Sequence, residues 1–111
     1  MKPLYTEILE KFECPNKLII VRESTVNYPL GKSNIYCVDN NFNVIWFAEL
    51  PFKNDNYPNE IIWNSKINKD SENWNDFYIQ AENLITTSSK KGFTVTIDIN
   101  NGEIIDSMFT K

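Results

Sequence analysis

The chain contains no histidine. That removes the side chain that most often serves as a general base near neutral pH, and with it the commonest metal ligand. No Ser-His or Cys-His nucleophilic pair can be assembled. Cysteine is limited to Cys14 and Cys37; two cysteines without histidine do not complete a four-ligand zinc site. Glycine is scarce, 3 in 111 residues, so no glycine-rich phosphate loop exists. No apolar run approaches the roughly 20 residues of a membrane-spanning helix, and the opening residues hold no apolar signal core. The expectation is a cytoplasmic protein with reduced thiols. An excess of cations is also lacking. Lys and Arg number 11 against 15 Asp and Glu, for a net charge of −4 and a pI near 4.8. The densest basic cluster is Lys90-Lys91 beside Gly92, the composition of a solvated turn. Direct nucleic-acid binding, which rests on a basic patch, is not expected, and neither is a membrane partner.

What is present is β grammar, written twice. Residues 35–46 and 95–105 each read as an apolar run, an Asp, an Asn-rich turn and a second apolar run. That is the pattern of a hairpin, and Asn-Gly at 101–102 is a strong turn signal. Asn is abundant and takes over the positive-φ positions that glycine usually fills. Asp39 and Asp98 occupy matching places and read as turn starters that bond to backbone two residues on, not as a paired-acid site. With 41% hydrophobic and 14% aromatic residues, the chain is expected to bury a core as a single domain over residues 1–111.

Along the chain, residues 3–12 are predicted as a short helix. Pro3 suits a first turn, and Leu4, Ile8, Leu9 and Phe12 share one helical face. From Leu18 the reading is β. Leu18 to Val21 is a continuous apolar run, that of a central strand. Strands follow over 35–38, 44–50, 60–63, 76–81, 84–88, 93–99 and 103–109, with 64–75 an exposed polar loop. In the strand from Phe93, the apolar residues point to one face and Thr94, Thr96 and Asp98 to a wet one. The fold class is therefore mainly β: an antiparallel meander of about seven or eight short strands, as a curled sheet or a sandwich, with one short N-terminal helix.

Charge is unevenly placed. Between Glu49 and Glu82 there are seven acids and three lysines, an excess of four that equals the net charge of the whole chain. This middle third is acidic, aromatic and rich in loop residues. Asp70 to Asp76 lacks the spacing and central glycine of an EF-hand calcium loop, so no metal or other cofactor is expected there. Exposed Trp and Tyr beside acids are typical of interface anchors. The candidate partner-binding residues are therefore Asp55, Glu60, Trp63, Asp70, Glu72, Trp74 and Asp76, and no catalytic residue is assigned.

Two resemblances follow from these segments. The hairpin Ile35 to Asp39 through Val44-Ile45-Trp46 resembles one repeat of the quinoprotein-type β-propellers, although the chain is far too short for a propeller. In size, charge and general character the chain resembles the small acidic bacterial immunity proteins of polymorphic toxin and contact-dependent inhibition systems. That resemblance implies a cytoplasmic, non-enzymatic protein that neutralises a basic toxin domain, of nuclease type, by occluding it. The alternative is a stand-alone β-domain that binds a small ligand or serves as a structural subunit of a complex.

Overall fold

The structure, a computed structural model, describes residues 1–110 and, at Trp74, the backbone alone. Eight strands form two four-stranded antiparallel sheets. The first holds β1 (Ile8–Glu13), β2 (Ile19–Glu23), β3 (Ile35–Val38) and β4 (Val44–Phe47) in that order. The second holds β5 (Ile62–Ile67), β6 (Tyr78–Ser88), β7 (Phe93–Asp98) and β8 (Ile104–Phe109). Each sheet is a meander, as the repeated hairpin signals imply. Asp39 starts its turn by accepting from the backbone N–H groups of Asn41 and Asn43, at 2.9 Å each. Asp98 accepts from that of Asn100 at 2.9 Å. Positive φ falls on Asn27, Asn54, Asn64 and Asn83, which explains how a chain with few glycines still turns so often.

The core is two facing rows. In the first sheet, Phe12, Ile20, Cys37 and Trp46 stand opposite one another across the four strands. In the second, Trp63, Ile85, Ile97 and Ile104 do the same. All eight belong to one apolar cluster, so the inward faces of the two sheets meet there. Each fully buried side chain of this kind contributes about 2 kcal/mol. Trp46 also ties the sheets directly, since its Nε1 donates to the Ile99 carbonyl at 3.2 Å.

The N-terminal helix is not formed; no α-helix occurs among the described residues. Residues 8–13 are instead strand β1, alternating half-buried and exposed positions. A ten-residue helix is marginal in water, and β1 gains non-local partners that a helix would forgo. Phe12 stacks on Trp63 with ring centroids 4.4 Å apart. Glu10 forms an ion pair with Arg22 and accepts from the Ile61 N–H at 3.0 Å. Leu9, which the helical spacing places inward, is exposed.

Two further expectations change. The stretch read as loop from residue 64 contains most of β5, and β6 runs unbroken through Leu84. Both strands are irregular where Asn64 and Asn83 adopt positive φ. Beyond those points the β5–β6 hairpin leans over the outer face of its own sheet. The Ile67 N–H reaches the Thr96 hydroxyl of β7 at 3.1 Å, and the Thr86 hydroxyl donates to the Ser65 carbonyl at 3.1 Å. The face of Thr94 and Thr96 is therefore covered, not wet: both residues are buried.

The outer face of the first sheet is covered as well. Ile19, Val21, Tyr36 and Val38 form a second buried cluster with Ile8 against it. The N-terminal residues close over this side. Met1 borders a concavity with Ile19 and Phe42, and the backbone N–H groups of Leu4, Tyr5 and Thr6 all donate to the buried Glu23 carboxylate.

Candidate protein-binding surface

The acidic segment is divided by the fold into three places. Asp55 is buried. Its Oδ1 accepts from the N–H groups of Asn56 at 2.9 Å and Lys91 at 3.1 Å, and so it pins the loop after β4 to the β6–β7 turn. It is not available to a partner's cation. Glu60 is exposed just before β5, and Trp63, in the strand, is half-buried and stacked on Phe12. Trp63 is thus part of the core row, not a free anchor. The remaining candidates, Asp70, Glu72, Trp74 and Asp76, lie in the β5–β6 loop. β5 separates that loop from Glu60 along the chain. The side chain of Trp74 lies outside the described residues; its backbone opens a 3-10 turn over Trp74–Asp76.

The loop is held by its own backbone and by Asn and Ser side chains. The Asn68 N–H donates to the Phe77 carbonyl at 2.7 Å and closes it. The Ser71 hydroxyl donates to the Asn73 carbonyl at 2.6 Å, and Asn73 Oδ1 accepts from the Asn75 N–H at 3.1 Å. Asp70, Glu72 and Asp76 are exposed, and among the described residues none of their carboxylates takes part in an ion pair. The neighbouring cation, Lys69, is held by Asp106 of β8 at 2.6 Å. Among the described residues, the tip therefore presents three carboxylates with no cation paired to them. Beside them Phe77 and Tyr78 meet edge to face, centroids 4.8 Å apart, and Tyr78 is partly exposed.

Groups that suggest chemistry elsewhere are engaged structurally. Glu23 is fully buried and bonds to Tyr36 and the N-terminal backbone. Its burial pushes the carboxyl pKa up, but the Tyr36, Thr6, Leu4 and Tyr5 donors outweigh that and hold it below the usual glutamate value. Among the described residues, no three His, Cys, Asp or Glu side chains converge as a metal site. No helix there is long and apolar enough to cross a membrane.

The two thiols share the core but cannot meet. Phe12, Ile20 and Cys37 are level across β1, β2 and β3, and Cys14 is level with Leu18, to which its N–H bonds. Two strand spacings put the Cys14 and Cys37 backbones roughly 10 Å apart, beyond the ~7 Å limit for a disulfide. Both are free. Burial, then the neighbouring Cys14, pushes the Cys37 thiol up to about 11. We expect native protein to react slowly with a thiol reagent at pH 7, unfolded protein to release two equivalents, and the denaturation midpoint to ignore reductant. A midpoint that falls with reductant would refute this geometry.

An exposed aromatic patch has no counterpart in the sequence reading. Phe52, Phe93 and Phe109 line a concavity of about 270 Å³ with Lys91, and Lys91 Nζ sits 4.7 Å from the Phe52 ring centroid. Three separate segments supply the phenylalanines, and no local pattern announces their meeting. No protein-family model, curated protein or solved structure matches the chain.

Proposed function

We propose that this chain is a non-enzymatic, cytoplasmic inhibitor of the immunity type, which neutralises a basic, nuclease-type toxin domain by covering its active site. The acidic tip of the β5–β6 arm is the contact element, carried on a scaffold read as a two-sheet sandwich. The observation that carries the reading is the tip itself. Among the described residues Asp70, Glu72 and Asp76 are solvent-exposed and free of ion pairs, on a loop braced by hydrogen bonds, with the only lysine inside it, Lys69, turned to Asp106. A nuclease binds a polyanion through Lys and Arg, so a braced set of carboxylates is the complementary surface. Tyr78 supplies apolar contact next to the charges.

The test is capture of a partner at low and high salt, followed by charge reversal of Asp70, Glu72 and Asp76 to Lys. A single basic partner should be retained at low salt and weakened at high salt, because exposed charges are screened within about 8 Å at physiological ionic strength. The triple reversal should slow association by about tenfold or more while leaving thermal stability unchanged. A basic partner whose association rate ignores the reversal would overturn the assignment of the tip.

A further inference from the structure

Four strands lie at sheet edges, β1, β4, β5 and β8, and exposed edges invite pairing unless they are blunted. Three are blunted here. β1 carries a bulge and the charges Glu10, Lys11 and Glu13. β4 has only four residues and a bulge, with Pro51 shortly after it. β5 is broken at Asn64 and carries Lys66. β8 differs. Its bulge lies near one end, at Ile105, and from there to Phe109 it contains no Lys or Pro.

The free part of β8 is well defined. At its start, the Ile104 N–H is occupied by the Glu49 carboxylate at 2.8 Å. At its end, the Thr110 N–H donates to the Gly92 carbonyl at 2.8 Å. With the β7–β8 register, that bond directs the peptide groups of Asp106, Met108 and Thr110 towards β7. Alternation turns those of Ser107 and Phe109 outward. The open edge is thus Ile105 to Phe109, five residues centred on Ser107. Ile105 is 54% exposed and Phe109 62%.

We propose that this edge pairs antiparallel with the same edge of a second copy, with Ser107 on the twofold axis. The register selects itself. Pairing Ser107 with its symmetry mate sets Ile105 opposite Phe109 of the other copy, twice, and Asp106 opposite Met108. No like charges face each other, and Asp106 keeps Lys69. Centring on Asp106 instead would oppose two carboxylates. In the chosen register the incoming Ile105 borders the concavity of Phe52, Phe93 and Phe109, which supplies it an apolar seat. The Ser107 N–H, now donating to Asp106 Oδ1 at 2.9 Å, would exchange that bond for the partner's carbonyl. Five paired residues cover less than the area of a permanent dimer, so association is weak and concentration-dependent.

Sedimentation equilibrium from micromolar to millimolar protein tests this. The wild type should pass from 13.0 kDa to twice that mass. Ser107→Pro removes an N–H that β7 does not use and is tolerated at an edge. It should weaken the dimer at least about tenfold, with melting unchanged. Ser107→Cys should cross-link through its own thiol when oxidised glutathione takes up the two hydrogens, because hydrogen-bonded antiparallel pairs stand about 5.5 Å apart. A wild type that stays monomeric throughout overturns the proposal and leaves the edge to a strand of a different chain. A dimer that survives Ser107→Pro, or an S107C variant that resists cross-linking at dimer-forming concentration, also overturns it.

Discussion

Replacing Gly102 by Ala is expected to destabilise the protein by about 3 kcal/mol. Two costs add at this one position. Gly102 has φ +78°, a conformation in which an alanine costs about 1 kcal/mol. A methyl group there would also stand 2.5 Å from Trp46 Cε3 and 2.7 Å from Cδ2, with the Phe47 carbonyl oxygen at 3.2 Å. Those are ring atoms of a core residue, not the end of a flexible chain. Overpacking of this kind costs about 1–3 kcal/mol. Trp46 has little room to yield, since its Nε1 is tied to Ile99 and its ring lies in the core row with Cys37. The neighbouring backbone is tied too, the Glu49 N–H donating to the Gly102 carbonyl at 2.8 Å. Gly31→Ala is the matched control. Its φ is +82°, but an added methyl meets only Asn54 Oδ1, at an ordinary 3.5 Å. Urea denaturation of both variants should show G102A losing about 2 kcal/mol more than G31A, with a blunted Trp46 emission change. Equal losses would mean that the ring gives way and that this inter-sheet contact is soft.

The same pair of residues shows what a sequence reveals of such a fold. Asn101-Gly102 announces a hairpin by local chemistry, and the hairpin is there. The apolar runs of β2 and β3 announce buried strands, and the burial of β2 on both faces agrees with its central place. What stayed hidden depends on partners far along the chain. Leu4, Ile8, Leu9 and Phe12 fit a helical stripe, and only Arg22, Ile61 and Trp63 decide for a strand. Alternation marks Thr94 and Thr96 as the polar face of β7, yet it carries no sign that β5 will fold across that face. The candidate site divides for the same reason. Asp70, Glu72 and Asp76 are surface acids because their loop closes on itself through residues 68–77. Asp55 is an acid of the same kind, buried because the Lys91 backbone, 36 residues on, comes to meet it.

Glu23 is the sharpest example, and its removal should have the largest effect of any single change on the first sheet. It ends the apolar run of β2 with no ion-pair partner among the described residues. Four donors converge on it: the N–H groups of Leu4 at 2.6 Å, Tyr5 at 3.1 Å and Thr6 at 2.8 Å and the Tyr36 hydroxyl. Glu23→Ala strands all four beside a buried cluster, and breaking so dense a charge-assisted set is expected to cost about 3–5 kcal/mol. Glu23→Gln should be nearly as costly, since one of its two ends becomes a donor facing donors. The sign of the pH dependence follows from the lowered pKa. The folded protein keeps Glu23 ionised where the unfolded chain has begun to protonate it. The stabilisation is therefore complete above the unfolded value, near 4.3, and is lost as pH falls through the lower folded value. Wild type should exceed E23Q in urea midpoint at pH 7, with the gap narrowing as the pH drops below about 4. Amide exchange separates the local from the global consequence. In E23Q the amides of residues 4–6 should exchange quickly at pH 7 while those of β7 stay protected. Retention of their protection would mean that the N-terminal residues are held by Tyr5 against Tyr28, and not by the buried charge.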